Sequence, residues 1–185
     1  MSTPNFNPFP VIHTSRLILR RPLPTDAVDL LEMRSDPEVM QYIPRPLATC
    51  EDDVRELINM LDGFTEKNER INWAIEWKST GKVLGLIGYV NIKPEHYRAE
   101  VGYSLTRAWH RRGIMREALS AVLEYGFGDM KLHTVEAIID AENAASGKLL
   151  EDAGFIREAF FREDFFHNGR FRNSVHYGLL QPDAA

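Results

Sequence analysis

The chain has a single cysteine, Cys50, in 185 residues, so no disulfide can brace it from within. None is required at this length, because a domain of such a size buries about 70% of the surface its unfolded chain exposes. Zinc chemistry is equally poorly supplied. The six histidines (His13, His96, His110, His133, His167, His176) never fall at a ligand-like spacing, and no metal site is expected. Long apolar runs are missing: the longest, 83–90, is eight residues with two glycines, against the ~20 of a membrane span. The first fifteen residues hold no Lys or Arg and no apolar stretch of the kind a secretory signal needs. A basic excess is lacking too, with 22 Lys and Arg against 27 Asp and Glu, the wrong sign for a domain that lives on nucleic acid. The expectation is a soluble protein of a reducing, cytoplasmic setting, with no membrane and no direct nucleic-acid partner.

What is present reads as one domain over 14–181 behind an irregular segment, 1–13, whose first dozen residues carry three prolines and two asparagines and are expected to run along the surface. A short strand is predicted at 16–20, stopped by Pro22. Thr25 and Asp26 can cap a helix with Val28, Leu31 and Met33 inward. A capping box over 49–52 leads into a stripe of Val54, Leu57, Ile58 and Leu61, with Gly63 as the stop. Trp73, Ile75 and Trp77 then alternate, 79–82 turns, 83–93 returns, and 98–105 alternates again with Val101, Tyr103 and Leu105 on one face. A helix follows over 113–127 with Ala118, Leu119, Val122 and Leu123 inward, then a strand at 134–139 and a helix at 143–153. Six of the ten phenylalanines lie between 155 and 171 around Asn168-Gly169, a two-residue hairpin signal. Core or subunit contact is the expected use of these aromatics. The order is β-α-α-β-β-β-α-β-α-β-β, a mixed α/β (α+β) domain on one central sheet.

Between 101 and 116 there is no acid, yet the stretch carries Arg107, Arg111, Arg112 and Arg116 where a strand gives way to a helix. Cations at a helix N-terminus oppose the macrodipole, so the cluster is stable only with an anion or with its stems laid sideways in solvent. Free helix N–H groups and Gly113, which lets a backbone come close, favour a phosphate. No Walker loop is present, and Gly126-Phe127-Gly128 lacks the third glycine of a dinucleotide fingerprint.

The motif HRRGIM at 110–115 resembles the acetyl-CoA pyrophosphate loop of the GNAT superfamily of N-acetyltransferases, Gln/Arg-x-x-Gly-x-Gly/Ala, with His110 and Met115 departing from the usual residues. TSRLILR at 14–20, Asp26-Ala27, DPEV at 36–39, AEVGY at 99–103, Glu117-Ala118, and Asn143 through Ser146 to Gly154-Phe155 fall in the order of the ribosomal-protein N-terminal (RimJ/RimL-type) branch. The likeness runs from Thr14 to about Leu180.

The resemblance implies a GNAT fold: a mixed sheet of about seven strands flanked by helices and splayed between the fourth and fifth. It implies acetyl-CoA as co-substrate, held by Tyr103, Leu105 and Thr106 on the splayed strand, by His110, Arg111, Arg112, Gly113, Ile114, Met115 and Arg116 in the loop, and by Asn143 and Ser146 on the next helix. Glu100 is the candidate general base; otherwise it is a strand charge paired with Arg98 or another neighbour. Ser146 is the candidate donor to the leaving thiolate, because Leu150 stands where many members carry an acidic tyrosine. Without the resemblance, Asn143 reads as a helix cap, Ser146 as a small packing residue and Tyr103 as strand packing. The expected activity is acetyl transfer to a primary amine, foremost a protein or peptide α-amino terminus such as that of a ribosomal protein. A small-amine acetyltransferase and a non-catalytic acyl-CoA-binding module are the alternatives, and a homodimer is possible.

Overall fold

A computed structural model describes residues 4–182. Eight strands form one sheet in the order β1-β2-β3-β4-β5-β6-β8-β7: β1 (Ile12–His13), β2 (Leu17–Arg20), β3 (Ile71–Trp77), β4 (Val83–Lys93), β5 (Arg98–Leu105), β6 (Thr134–Asp140), β7 (Ile156–His167) and β8 (Arg170–Leu180). The helices are α1 (Ala27–Arg34), α2 (Pro37–Met40), α3 (Glu51–Glu66), α4 (Ile114–Gly128) and α5 (Ala144–Asp152). The count exceeds the expected seven strands by the two-residue β1, which lies inside the segment expected to be irregular. Of that segment, residues 1–3 lie outside those described. The rest does not simply run along the surface: Phe6 is buried in the core, and the Trp73 indole donates to the Pro10 carbonyl at 2.7 Å.

Strands β3 and β4 are buried on both faces, which explains their nearly unbroken apolar runs. On one face Ala74, Val83 and Leu86 pack with Ala27, Leu30 and Met33 of α1 and Val54, Ile58 and Leu61 of α3. On the other, Trp73, Ile75, Leu84, Ile87 and Tyr89 pack with Ile114, Ala118, Leu119 and Val122 of α4. The phase of α1 differs from expectation. Val28 is 61% exposed and the buried stripe is Ala27, Leu30 and Met33, because a 3-10 turn over Pro24–Asp26 rotates the helix entry. The cap of α3 is Cys50 rather than Thr49, with the Asp53 carboxylate accepting from the Thr49 amide and hydroxyl at 2.7 and 2.8 Å. Gly63 does not stop α3, whose buried stripe continues to Thr65 and holds the last turn. In the hairpin, Asn168 and Gly169 take φ of 50° and 77°, as a type I′ turn requires. Of the phenylalanines between 155 and 171, Phe155 is buried in the core, whereas Phe160, Phe161 and Phe166 on the edge strand β7 and Phe171 at the start of β8 are exposed.

All neighbouring strands are antiparallel except β5 and β6. A parallel pair needs a crossover, which α4 supplies. Its pairing covers only Arg98↔Thr134, Ala99↔Val135 and Glu100↔Glu136. Beyond Glu100, β5 stays bonded to β4 as far as Leu105↔Gly85, and β6 stays bonded to β8 as far as Asp140↔Ser174. The two strands therefore part in a V that opens toward α4 and α5. Among the described residues, no helix is long and apolar enough to cross a membrane.

Candidate active site

The splay leaves residues 101–105 without a strand partner on the β6 side, so β5 presents backbone donors and acceptors to the open angle. At the far end of β5 the chain turns through 3-10 residues Arg107–Trp109 into α4. The His110 ring holds the start of this loop through Nε2 at 2.8 Å from the Leu105 carbonyl oxygen. Arg111 and Gly113 both take left-handed backbone, with φ of 60° and 72°. For an arginine that conformation is strained, and such strain gathers where the chain must shape a binding surface. Gly113 is the N-cap of α4 with no side chain capping the helix, which leaves its first N–H groups free for an anion.

The four arginines of the acid-free stretch are not equivalent. Arg107 pairs with Asp36 and Glu38 at 3.1 and 2.7 Å, and Arg116 pairs with Asp152 of α5 at 2.7 Å. The acids missing locally are thus supplied by other elements, and the cluster expected at the helix start is half neutralised. Arg111 and Arg112 have no carboxylate partner among the described residues, and both are exposed. Arg112 stacks over Trp109 at 5.0 Å, and its carbonyl accepts from an Arg16 guanidinium nitrogen at 3.0 Å. Glu117, one turn into α4, binds Arg16 in turn. The loop is therefore tied to the residue that precedes β2, while its two guanidiniums without a carboxylate partner are exposed.

Glu100 sits at the apex of the V, beside Glu136 in register. Burial pushes its carboxyl up first, then the Glu136 charge; a hydrogen bond from Asn91 and the charges of His176 and Lys93 oppose this. Arg98 is not its partner: Arg98 and Lys93 both pair with the buried Glu136. Glu100 is thus a half-buried carboxylate without a cation of its own, a suitable arrangement for a base. The register is what sequence reading missed. Ala99-Glu100 and Val135-Glu136 stand at matching places near the starts of two strands, and that repeat was the available signal.

Across the V, Asn143 caps α5, its Oδ1 accepting from the Ser146 amide at 3.1 Å. The cap reading of Asn143 therefore holds for that oxygen. Ser146 is 7% exposed, and its Oγ lies 2.7 Å from the Tyr103 hydroxyl oxygen. Burial pushes the Tyr103 phenol up to about 12, despite the hydrogen bond with Ser146. Leu150 is fully buried in the core. Leu105 and Thr106 are buried at the strand end, Ile114 is buried at the start of α4, and Met115 packs against the core edge.

Residues 16–156 match the family model described as an acetyltransferase (GNAT) domain. The chain belongs to the GNAT acetyltransferases. It is 32% identical over 177 residues to the uncharacterized N-acetyltransferase YoaA of Bacillus subtilis, spanning 94% of this chain and 98% of the relative. A GNAT-family acetyltransferase structure from Bacillus anthracis superimposes with a TM-score of 0.82 at 29% identity, covering 92% of this chain and 98% of the other. Two relatives from Escherichia coli match 68% of this chain: a spermidine N(1)-acetyltransferase at 26% identity (67% of its length) and a ribosomal protein uS5 alanine N-acetyltransferase at 25% (66% of its length). The ribosomal L7/L12 α-N-protein acetyltransferase RimL in complex with coenzyme A shares the fold, with a TM-score of 0.84 at 17% identity over 92% of this chain and 98% of the other. This GNAT protein is an N-acetyltransferase, and the fold it shares uses acetyl-CoA.

Proposed function

We propose that this acetyltransferase moves an acetyl group from acetyl-CoA to a primary amine by direct attack, and that its acceptor is the α-amino terminus of a protein or peptide of the ribosomal-protein-alanine or -serine kind. The observation that carries this reading is the V between β5 and β6 with an unpaired carboxylate, Glu100, at its apex and a hydroxyl, Ser146, on its far bank. Arg111, Arg112 and the free N–H groups of Gly113, Ile114 and Met115 would take the pyrophosphate by charge-assisted bonds, with His110 holding the loop. Arg116 reaches the same place only by leaving Asp152. Residues 101–106, Tyr103, Leu105 and Thr106 among them, would line the pantetheine and thioester, and Asn143 its other side.

In the reaction the amine must be neutral. Its lone pair attacks the thioester carbon, the oxyanion is met by backbone N–H donors of the splayed strand, and the C–S bond breaks. An α-amine, with a pKa near 8, needs little help at neutral pH, whereas a lysine-like amine near 10.4 needs a base. Glu100 serves both, directly or through a water, and Ser146 stands where the departing sulfur would lie. A cytoplasmic setting agrees with the single exposed thiol, Cys50, and the exposed aromatic edge of β7 is the surface for a homodimer.

The test is thiol release from acetyl-CoA with peptides bearing N-terminal Ala or Ser, with spermidine and with free amino acids. Peptides are expected to give the highest kcat/KM. A preference of tenfold or more for a polyamine would replace the acceptor with a small amine. Binding of acetyl-CoA with no release on any acceptor would leave an acyl-CoA-binding module. Replacing Arg111 and Arg112 together by Gln should abolish most of the thermal stabilisation by acetyl-CoA, and an unchanged shift would remove the loop from the site.

A further inference from the structure

Leu150 leaves α5 without the tyrosine from which many members of this family draw a proton for the leaving thiolate. The fold supplies a phenol from the opposite bank. Tyr103 lies in the stretch of β5 that has lost its β6 partner, and its hydroxyl meets Ser146 Oγ at 2.7 Å. Ser146 belongs to α5, which follows β6, so this bond joins the two banks of the V. Two polar groups beside the pair are already engaged. The Ser146 amide is bonded to Asn143, and the Tyr177 hydroxyl on β8 donates to Glu151 at 3.2 Å.

We propose that Tyr103 is a positioning residue for sulfur departure: its phenol donates to Ser146 Oγ, which turns the serine proton toward the thiolate that leaves acetyl-CoA. This rests on the reading of the V as the thioester site. Direction follows from chemistry, since a phenol is the better donor of the two hydroxyls and the serine oxygen the better acceptor. Burial keeps the phenol protonated throughout the working range, so it stays a donor. As the tetrahedral adduct collapses, the C–S electron pair goes to sulfur and the carbonyl re-forms. The thiolate takes the Ser146 proton, which is replaced from Tyr103. The proton lost by the attacking amine returns to the phenol through solvent, so amide and thiol form with the pair unchanged.

The experiment titrates the thiol of bound CoA, by thiolate absorbance, on the wild-type chain and on Tyr103→Phe, Ser146→Ala and the double variant. Tyr103→Phe keeps the ring, and Ser146→Ala keeps the capped amide, so folding is preserved. The bound thiol is expected to titrate below its ordinary value of about 8.5 in the wild type. Each single variant should raise that value by similar amounts, and the double variant should raise it no further than either one. With an acceptor, Tyr103→Phe should lower kcat roughly tenfold with KM for acetyl-CoA unchanged, as for a bond that strengthens as charge develops. A thiol titrating alike in wild type and Tyr103→Phe overturns the proposal, as does a double variant that sums the two singles. Such outcomes leave the acetyl-CoA reading intact, whereas failure of the wild type to bind CoA overturns both.

Discussion

Glu117 offers the sharpest test of how the loop before α4 is held. One carboxylate oxygen accepts from the Thr14 hydroxyl at 2.6 Å, the Ser15 hydroxyl at 2.9 Å and the Arg16 amide at 2.8 Å, and the other takes Arg16 Nε at 2.6 Å. Burial alone would push this carboxyl up. The bonds from Thr14, Arg16 and Ser15 override it and bring the group from 4.5 down to about 2. That fall corresponds to roughly 3 kcal/mol of stability at neutral pH if none of it is screened. The side chain is 16% exposed, and a glutamine would keep one acceptor oxygen, so Glu117→Gln should cost about 2 kcal/mol. Because the folded pKa lies below the unfolded one, the wild-type advantage is full above the ordinary carboxylate value and disappears as pH falls through it toward about 2. Urea denaturation at about pH 7 and about pH 3 measures this, provided the m-values agree. A stability difference that stays constant over that range would refute the linkage. Arg16 also donates to the Arg112 carbonyl. The same variant should therefore weaken acetyl-CoA binding several-fold at neutral pH, measured by calorimetry.

Two further outcomes follow from the charges lining the V. Glu100 has its carboxyl raised by burial and by Glu136, so its ionised form destabilises the fold. Glu100→Gln should raise Tm near neutral pH, with the gain vanishing at pH values below the ordinary carboxylate range, while slowing acetylation of alkylamines far more than of peptide N-termini; equal loss on both acceptors would make Glu100 a positioning group. Asp152→Asn should release Arg116 from its ion pair and tighten acetyl-CoA binding by no more than about fivefold, since exposed pairs are weak; an unchanged Kd would take Arg116 out of the site.

Much of the fold was legible because its cues were local. The Asn168-Gly169 turn demands two positive φ values, and few residue pairs other than this kind provide them. Trp73 to Trp77 and the helix stripe of Ala118, Leu119, Val122 and Leu123 report their own periods and came out buried as the pattern required, except for the partly buried Trp77. The failures were failures of phase and of layer. Nothing in the sequence around Val28 tells that a 3-10 turn will rotate α1. Nothing around Gly63 tells that the sheet will hold α3 through Thr65. The phenylalanines at 160, 161, 166 and 171 read as core or subunit contact, and they are exposed, because aromatic content reports burial only where a second layer covers the side chain.

The site divides along the same line. The acid-free run of arginines ahead of a helix could be read directly, because it is a local feature of the sequence, and Gly113 does stand as the N-cap of α4. Which arginines remain free could not be read, since Asp36, Glu38 and Asp152 arrive from elements far away in sequence. The apex and its hydroxyls are likewise products of register. Three parallel pairs between β5 and β6 set Glu100 against Glu136 and then end, and the parting of the strands brings Tyr103 opposite Ser146, 43 residues away. A strand pairing that ended two residues later would bond Val101 and Gly102 to β6 and close the floor of the V. The length of this one short ladder is therefore what opens the V, and it sets Glu100 against Glu136 and Tyr103 against Ser146 at the same time.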